Sequence, residues 1–176
     1  AHQASAFIGN GGDVDAYSYA SDASALVAVA LDSAFVYSDG SLSAYSVNGD
    51  AIGIVAVAEN NYVNVTNQGN IDAEAYYGSA YGIYTRNYNG NIGITNNGDL
   101  SAVSSFRGNT FGIYAQNTYG NVGITNSGDI TTSTYLGYLS IGIYATSQYG
   151  DVSVVNSGNI DAEIINGTVA NGIGAF

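Results

Sequence analysis

The chain lacks most of the side chains that usually carry chemistry. Its 176 residues include no Cys, Met, Pro or Trp, and the Lys+Arg total of 2 consists of Arg86 and Arg107 alone. The one histidine is His2. Without thiols or lysine, the sequence excludes disulfide, zinc–thiolate, haem–thiolate, Schiff-base and P-loop lysine chemistry. We therefore predict a protein that is not an enzyme and has no resident cofactor.

Positive charge and long apolar runs are also scarce. Fourteen acidic residues against two basic ones give a formal net charge of −12. Such a chain has no basic surface for phosphates, so we expect no nucleic-acid partner. The longest apolar run, Ala25–Leu31, is far shorter than the roughly 20 residues of a membrane-spanning helix. We expect no insertion into a membrane.

The abundant residues form a repeat of about thirty residues. In its clear copies the motif is an aliphatic residue, Thr or Val, Asn, any residue, Gly, Asn or Asp, and a second aliphatic residue. Clear copies begin at Val65, Ile94, Ile124 and Val154, and fainter ones at Ile8 and Val36. The shared glycines, here called the marker glycines, are Gly12, Gly40, Gly69, Gly98, Gly128 and Gly158. Their spacings are 28, 29, 29, 30 and 30 residues.

Two shorter motifs lie between these copies. One is a Gly-Ile pair, often followed by Tyr, as in Tyr81–Tyr84 and Phe111–Tyr114; the other is Gly-Asn-Ile or Gly-Asn-Val. Each unit thus has three short β-like runs separated by turn residues. The pattern predicts an all-β fold, a parallel β-helix solenoid of about six coils of 28–30 residues with three short strands per coil. We predict one domain over residues 1–176, with clear repeats in 50–176 and degenerate repeats in 1–49.

Side-chain alternation within the strands predicts the interior. It places one aliphatic residue of each coil above its counterpart in the next coil, so that the ladders form a continuous core. The four predicted columns are Val63/Ile92/Val122/Val152, Val65/Ile94/Ile124/Val154, Ile71/Leu100/Ile130/Ile160 and Ile54/Ile83/Ile113/Ile143/Ile173.

One turn position holds asparagine in four consecutive coils. These residues are Asn67, Asn96, Asn126 and Asn156. A column of inward amides can form hydrogen bonds along its length and fix the register between coils. Alternatively, asparagine is there because it tolerates a left-handed backbone conformation.

The combined pattern of Gly-Ile-Tyr followed by Gly-Asn-Val-Gly-Ile-Thr-Asn-Ser-Gly-Asp-Ile, as in 112–130, resembles the passenger repeats of bacterial autotransporters and the related filamentous-haemagglutinin-like adhesins. The resemblance covers residues 50–174 well and 7–49 weakly. It implies a right-handed β-helix that is exported and displayed at the bacterial cell surface. The handedness comes from the resemblance alone.

Tyrosines follow the inward isoleucines in three coils. Alternation turns Tyr84, Tyr114 and Tyr144 outward, which predicts an exposed aromatic stripe. Three roles are open for this stripe: stiffening of its own sheet, lateral packing on a neighbouring solenoid, and stacking on sugar rings.

Two acidic residues share the position after the marker glycine. Asp99 and Asp129 lie in adjacent coils, so their carboxylates are expected about 5 Å apart. That separation suits a shared calcium ion and also occurs in retaining glycosidases. The alternative is that both are turn residues bonded to their own backbone, since Asn and Ser replace them in other coils.

The most variable segment of each unit is the best candidate for ligand recognition. These segments are 74–80, 103–110, 133–140 and 163–170, and they contain Tyr76, Tyr77, Phe106, Tyr135, Tyr138, Ile164 and Ile165. Arg86 and Arg107 fall in different parts of their units and are not expected to converge on one groove.

The length of the chain matches a whole number of repeat units. A further step of thirty residues from Gly158 reaches position 188, which is Gly12 of a second copy joined after Phe176. We therefore predict that subunits stack head to tail, with Ile173 and Phe176 at the junction, because non-closing contacts of this kind generate filaments. The predicted function is an extracellular structural protein of a surface fibre or filament that supports adhesion or a biofilm matrix. Two alternatives are open: the 176 residues are one segment of a longer repeat array, or they are a fragment of an adhesin passenger that binds a glycan or a host protein.

Overall fold

The computed structural model describes residues 4–176, so His2 lies outside it. The described chain folds into 18 β-strands in three parallel sheets. Sheet A contains β1 (Ala6–Asn10), β4 (Ala34–Ser38), β7 (Val63–Asn67), β10 (Ile92–Asn96), β13 (Val122–Asn126) and β16 (Val152–Asn156). Sheet B contains β2 (Val14–Ser18), β5 (Leu42–Ser46), β8 (Ile71–Ala75), β11 (Leu100–Ser104), β14 (Ile130–Thr134) and β17 (Ile160–Ile164). Sheet C contains β3 (Ala23–Ala30), β6 (Ala51–Ala58), β9 (Ala80–Asn87), β12 (Thr110–Asn117), β15 (Leu139–Ser147) and β18 (Val169–Ala175).

Three successive strands, one from each sheet, make one coil, and six coils stack into a β-solenoid. Every strand pairs in parallel with the equivalent strand of each adjacent coil, in the register of the repeat; Ile92, for example, lies between Val63 and Val122. The predicted fold class is confirmed. We call the turn from sheet A to B corner 1, that from B to C corner 2, and that from C to the next coil's sheet A corner 3.

The four predicted aliphatic columns form the interior. In β13, Val122 and Ile124 are buried while Gly123 and Thr125 face outward, as alternation requires. The columns from all three sheets merge into one apolar cluster along the solenoid. Each fully buried aliphatic side chain contributes roughly 1.5 to 3 kcal/mol, so the columns are the main stabilising term.

A second interior compartment lies between sheets B and C, next to corner 2. It is lined by alanines in coils 2 to 4. In coils 4 and 5 hydroxyls enter it: Thr110 donates to Ser140 at 2.9 Å, and Ser140 donates to Thr132 at 2.8 Å. The hydroxyls are buried and satisfy one another, so the compartment tolerates polar residues without an unpaired group.

Sheet C departs from strict alternation at one position in each coil, which is Ala25 in coil 1 and a glycine in coils 2 to 6. Both Gly112 and Ile113 are buried, and the outward residues on either side of them are Phe111 and Tyr114. A Cβ on Gly112 would meet the Ile130 side chain and would lie 2.6 Å from the carbonyl oxygen of Gly142. In the coils that are packed on both sides, glycine leaves the space that this local bend requires.

Candidate functional site

The asparagine column is a continuous ladder of hydrogen bonds at corner 1. Asn67 donates to Asn96 at 2.8 Å, Asn96 donates to Asn126 at 2.7 Å, and Asn126 donates to Asn156 at 2.7 Å. Each of the four amides also donates to the carbonyl oxygen of the marker glycine two residues later. None of the four has a positive φ, so the ladder, and not a left-handed backbone, accounts for asparagine at this position.

The ladder is interrupted in coil 2, where Ser38 occupies the position. Ser38 donates over a long 3.4 Å to Gly40 and does not reach the Asn67 side chain. As a result the Asn67 Oδ1 atom is buried without a hydrogen-bond partner. One buried unpaired acceptor costs about 1 to 3 kcal/mol.

At all three corners, a polar side chain of one coil accepts a hydrogen bond from a backbone N–H of the next coil. At corner 1, Asp99 accepts from the N–H of Asp129 at 2.9 Å. At corner 2, Asp50 accepts from Ser79 at 2.8 Å, and at corner 3 Asn121 accepts from the N–H of Asp151 at 2.8 Å. The acceptor belongs to the earlier coil and the donor to the later coil in each case, so the stack has a direction.

The structure places Asp99 and Asp129 in this directional series. Asp129 in turn accepts from the N–H of Asn159 at 2.8 Å. The alternative interpretation, that both residues bond to the backbone of their own turn, is wrong in one respect: their hydrogen-bond partner is the backbone of the next coil. Among residues 4–176 no three His, Cys, Asp or Glu side chains gather where they could hold a metal ion. The calcium assignment stays a prediction.

Burial and charge act on a related carboxyl group at corner 2. Burial raises the pKa of Asp50 above its ordinary value; the hydrogen bond from Ser79 opposes this rise, and the neighbouring Asp22 adds to it. Since Asp50 serves as an acceptor for Ser79, it has a structural role that an amide would also fill.

The marker glycines explain how closely the coils approach. A Cβ on Gly40, Gly69, Gly98, Gly128 or Gly158 would overlap the carbonyl oxygen of the marker glycine in the preceding coil. Gly12, in the first coil, is the exception, because a Cβ there would meet nothing within 4 Å. The position therefore carries a glycine although no described residue of this chain requires one.

The first and last described coils expose their unpaired edges. Sheet order places β1, β2 and β3 at one end and β16, β17 and β18 at the other. Ile83, Ile113 and Ile143 are fully buried, but Ile173 in the same column is 47% exposed. It is thus an interior residue by register and a surface residue by accessibility. Phe176 is 73% exposed, and its ring lies 5.9 Å from that of Tyr144.

The expected tyrosine stripe exists but is only partly exposed. Tyr84 and Tyr114 stack at 5.2 Å, and Tyr114 and Tyr144 stack at 5.1 Å. A second outward column, which sequence alternation does not predict, packs against the first: Tyr81 and Phe111 stack at 5.3 Å and meet the tyrosines edge to face. The stripe faces outward as predicted, but its rings are only partly exposed, because the glycine bend turns both columns to the same face.

Burial within this double column raises the pKa of two tyrosine phenols. It raises the pKa of Tyr81 to about 12, with a further contribution from the charge of Asp50. Burial also raises the pKa of Tyr114, with smaller contributions from Tyr84 and Tyr144, while Arg86 acts in the opposite direction. The rings of the two columns cover one another, which favours the sheet-stiffening role.

The variable segments lie at corner 2, where they form an aromatic ridge. Tyr76 and Tyr77 meet edge to face at 4.7 Å, and Tyr77 contacts Phe106 in the same way at 5.6 Å. The Arg107 guanidinium lies 5.2 Å from the centre of the Phe106 ring. Arg86 is the penultimate residue of β9 and lines a groove at corner 3, so the two cations are apart, as expected.

A third set of aromatic residues, at corner 3, was not predicted. Tyr88 and Tyr119 meet edge to face at 5.3 Å, and Tyr119 and Tyr149 stack at 5.1 Å. The sequence signal is weak because Tyr119 and Tyr149 directly precede a glycine, whereas Tyr88 lies two residues before Gly90. This one-residue offset hides the column.

Comparisons with protein-family models, with curated proteins and with solved structures find no match to this chain. Within residues 4–176 there is no helix of the length and apolarity that crossing a bilayer requires.

Proposed function

We propose that this protein is an extracellular structural subunit whose solenoids stack head to tail into a surface fibre or filament that supports adhesion or matrix. The observation that carries this proposal is Gly12. In five other coils the marker glycine is required because the preceding coil lies against it. A glycine at the first marker position fits a preceding coil supplied by a second copy.

The hydrogen-bonding groups at the two faces are complementary. Side-chain acceptors point from each coil toward backbone donors of the next, so the last coil presents Asp151 and Asn159 as acceptors. The repeat spacing places the N–H of Asp13 of a second copy one coil beyond Asn159. Stacking of two last coils on each other would oppose acceptor to acceptor. The same groups therefore favour head-to-tail contacts, which do not close and lead to filaments.

The apolar groups at the two faces fit the same arrangement. Ile173 is half exposed at one end, and Ile8 and Val14 are only partly buried at the other. Another coil would bury all three in the columns that they already continue. Open strand edges are ready templates for pairing with a further chain.

The test is a pair of glycine variants. Wild-type protein should form polymers with an axial repeat of about 29 Å, six times the strand spacing, seen by electron microscopy and by sedimentation at increasing concentration. Gly12→Val should leave thermal unfolding of the monomer unchanged and abolish the polymers, because its side chain would meet Gly158 of the preceding copy. Gly9→Val is the matched control: a Cβ at Gly9 also meets nothing, but it faces outward from β1, so polymers should form.

Two results would contradict the proposal. One is wild-type protein that stays a folded monomer at every concentration. The other is Gly12→Val protein that polymerises as well as the wild type does.

The second candidate function is recognition of a glycan or host protein, and the aromatic ridge at corner 2 favours it. Tyr76 and Tyr77 are about half exposed, and aromatic faces of this kind stack on sugar rings. A glycan array is the test: Tyr77→Ala should lose a signal that Tyr138→Ala keeps, since Tyr138 does not contact the ridge through any aromatic pair found in residues 4–176. A pure scaffold would give no specific signal.

A further inference from the structure

Tyrosine is the main oxidisable side chain of this protein. The side chains that ordinarily react first with peroxide or with radicals, Cys, Met and Trp, are absent, and 16 tyrosines are present. An oxidant that reaches the surface therefore meets phenols, and the arrangement of the phenols determines the product.

Two tyrosine columns have similar ring spacing but different accessibility. Tyr84, Tyr114 and Tyr144 are held between neighbouring rings on sheet C. At corner 3, Tyr88, Tyr119 and Tyr149 are 51%, 51% and 66% exposed, so their rings can swing about the side-chain bonds. We call the latter three residues the corner-3 tyrosines.

The phenol groups of the corner-3 tyrosines lie close together. Hydrogen bonding to the Tyr119 phenol, together with its charge, raises the pKa of Tyr88. The ring centres are 5.3 Å apart for Tyr88 and Tyr119 and 5.1 Å apart for Tyr119 and Tyr149. Adjacent coils thus present phenols that need only a ring rotation to bring two ortho carbons into contact.

We propose that the corner-3 tyrosines are a site of oxidative dityrosine cross-linking, which joins neighbouring coils of one chain covalently. A haem peroxidase with hydrogen peroxide takes one hydrogen atom from each of two phenols and leaves two tyrosyl radicals. Their ortho carbons form a C–C bond, and each ring regains aromaticity as its ortho hydrogen leaves as a proton and its oxygen is reprotonated. Two tyrosines lose two hydrogen atoms in total, and one peroxide is reduced to two waters. The cross-link lies within one chain, so it does not depend on filament formation.

The two arginines provide a direct assay. Trypsin cleaves the unfolded chain after Arg86 and Arg107 and gives fragments 1–86, 87–107 and 108–176. The middle fragment contains a single tyrosine, Tyr88. A Tyr88–Tyr119 cross-link joins fragment 87–107 to fragment 108–176, whereas a link between Tyr84 and Tyr114 joins 1–86 to 108–176. Mass spectrometry of the digest distinguishes the two.

The experiment treats folded full-length protein with peroxidase and hydrogen peroxide, isolates the monomer by size exclusion, and then unfolds and digests it. We expect dityrosine fluorescence and the 87–107/108–176 species, two hydrogen atoms lighter than the sum of its parts, as the main cross-linked product. Tyr119→Phe should reduce this species to the level of untreated protein. Tyr114→Phe, the matched control in the half-buried column, should leave it unchanged.

Three results would overturn the proposal. They are the absence of the 87–107/108–176 species from wild-type monomer, its persistence in Tyr119→Phe, and an equal yield when the chain is oxidised in denaturant. The last result would show that the folded arrangement of the rings does not direct the coupling. Thermal unfolding of both variants before oxidation checks that each is folded.

Discussion

Coils 1 and 2 have the same backbone arrangement as coils 3 to 6 but differ from them in several side chains. Strand pairing continues without a break from β1 to β16. Coil 2, however, has Ser38 in place of a ladder asparagine, and coil 1 has Ala25 where all later coils have an inward glycine. Their outer surfaces also differ, with Val27, Val29 and Leu31 exposed on or beside sheet C. Backbone register is thus maintained by the spacing of turns and aliphatic columns. The ladder and the aromatic double column are additions that later coils carry.

The largest expected effect on stability is the difference between alanine substitutions at Gly98 in coil 4 and at Gly12 in coil 1. In Gly98→Ala the new Cβ overlaps the carbonyl oxygen of Gly69, and backbone must move to relieve it. We expect a loss of about 3 kcal/mol or more in the free energy of unfolding. Gly12→Ala should change it by less than about 0.5 kcal/mol. Denaturant titration of both variants measures the difference, and equal losses would show that coil spacing adjusts freely.

The next prediction compares the ladder residue Asn96 in coil 4 with Ser38, which occupies the same position in coil 2. Asn96→Ala removes bonds to Gly98 and Asn126 and leaves Asn67 without its acceptor. At about 1 kcal/mol for each bond, the expected loss is about 3 kcal/mol. Ser38→Ala removes only long bonds of 3.3 and 3.4 Å and should cost less than about 1 kcal/mol. Urea titration followed by far-UV circular dichroism tests this order, which would fail if the two losses were equal.

The aromatic double column predicts a difference at alkaline pH. Burial raises the pKa of Tyr81 to about 12 in the folded chain. In the unfolded chain the same phenol ionises near pH 10, so it loses its proton at a lower pH than in the folded chain. The stability that depends on neutral Tyr81 is therefore complete below pH 10 and is lost as pH rises toward 12. Tyr81→Phe should move the alkaline unfolding midpoint upward. Tyr19→Phe, at an exposed position in coil 1, should not move it, and a similar shift in both variants would contradict the prediction.

The smallest expected effect comes from a substitution that makes coil 2 resemble coils 3 to 6. Ser38→Asn would place an amide between Asn10 and Asn67 and supply the donor that the buried Asn67 Oδ1 atom lacks. We expect a gain of about 1 kcal/mol, seen as a rise in melting temperature. Destabilisation would mean that coil 2 has no room for the larger side chain.

The interior was predictable from the sequence, because strand alternation and a constant repeat determine which residues stack. Val122 and Ile124 illustrate this, since their partners follow from counting. The surface of sheet C was not predictable in the same way. Whether Phe111 and Tyr114 share a face depends on the bend at Gly112, where a Cβ would meet Ile130 of the neighbouring sheet. Alternation within one strand contains no information about that contact.

The acceptor role of Asp99 and Asp129 was missed for a related reason. Turn statistics describe how Asp bonds to nearby backbone, whereas the partner here is thirty residues away in sequence. Only the stacking of coils brings this N–H within reach. Position in the repeat indicated the column, but not the direction of its hydrogen bonds.

The one-directional bonding between coils also constrains how the gene for such a protein can change in length. An insertion or deletion of one residue within a strand would shift the rest of that strand off its partners in the adjacent coils. Duplication or loss of a complete unit of 29 or 30 residues would return each donor to an acceptor of the same kind. Unequal recombination between repeats is therefore a route by which solenoids of this design can become longer or shorter while remaining folded.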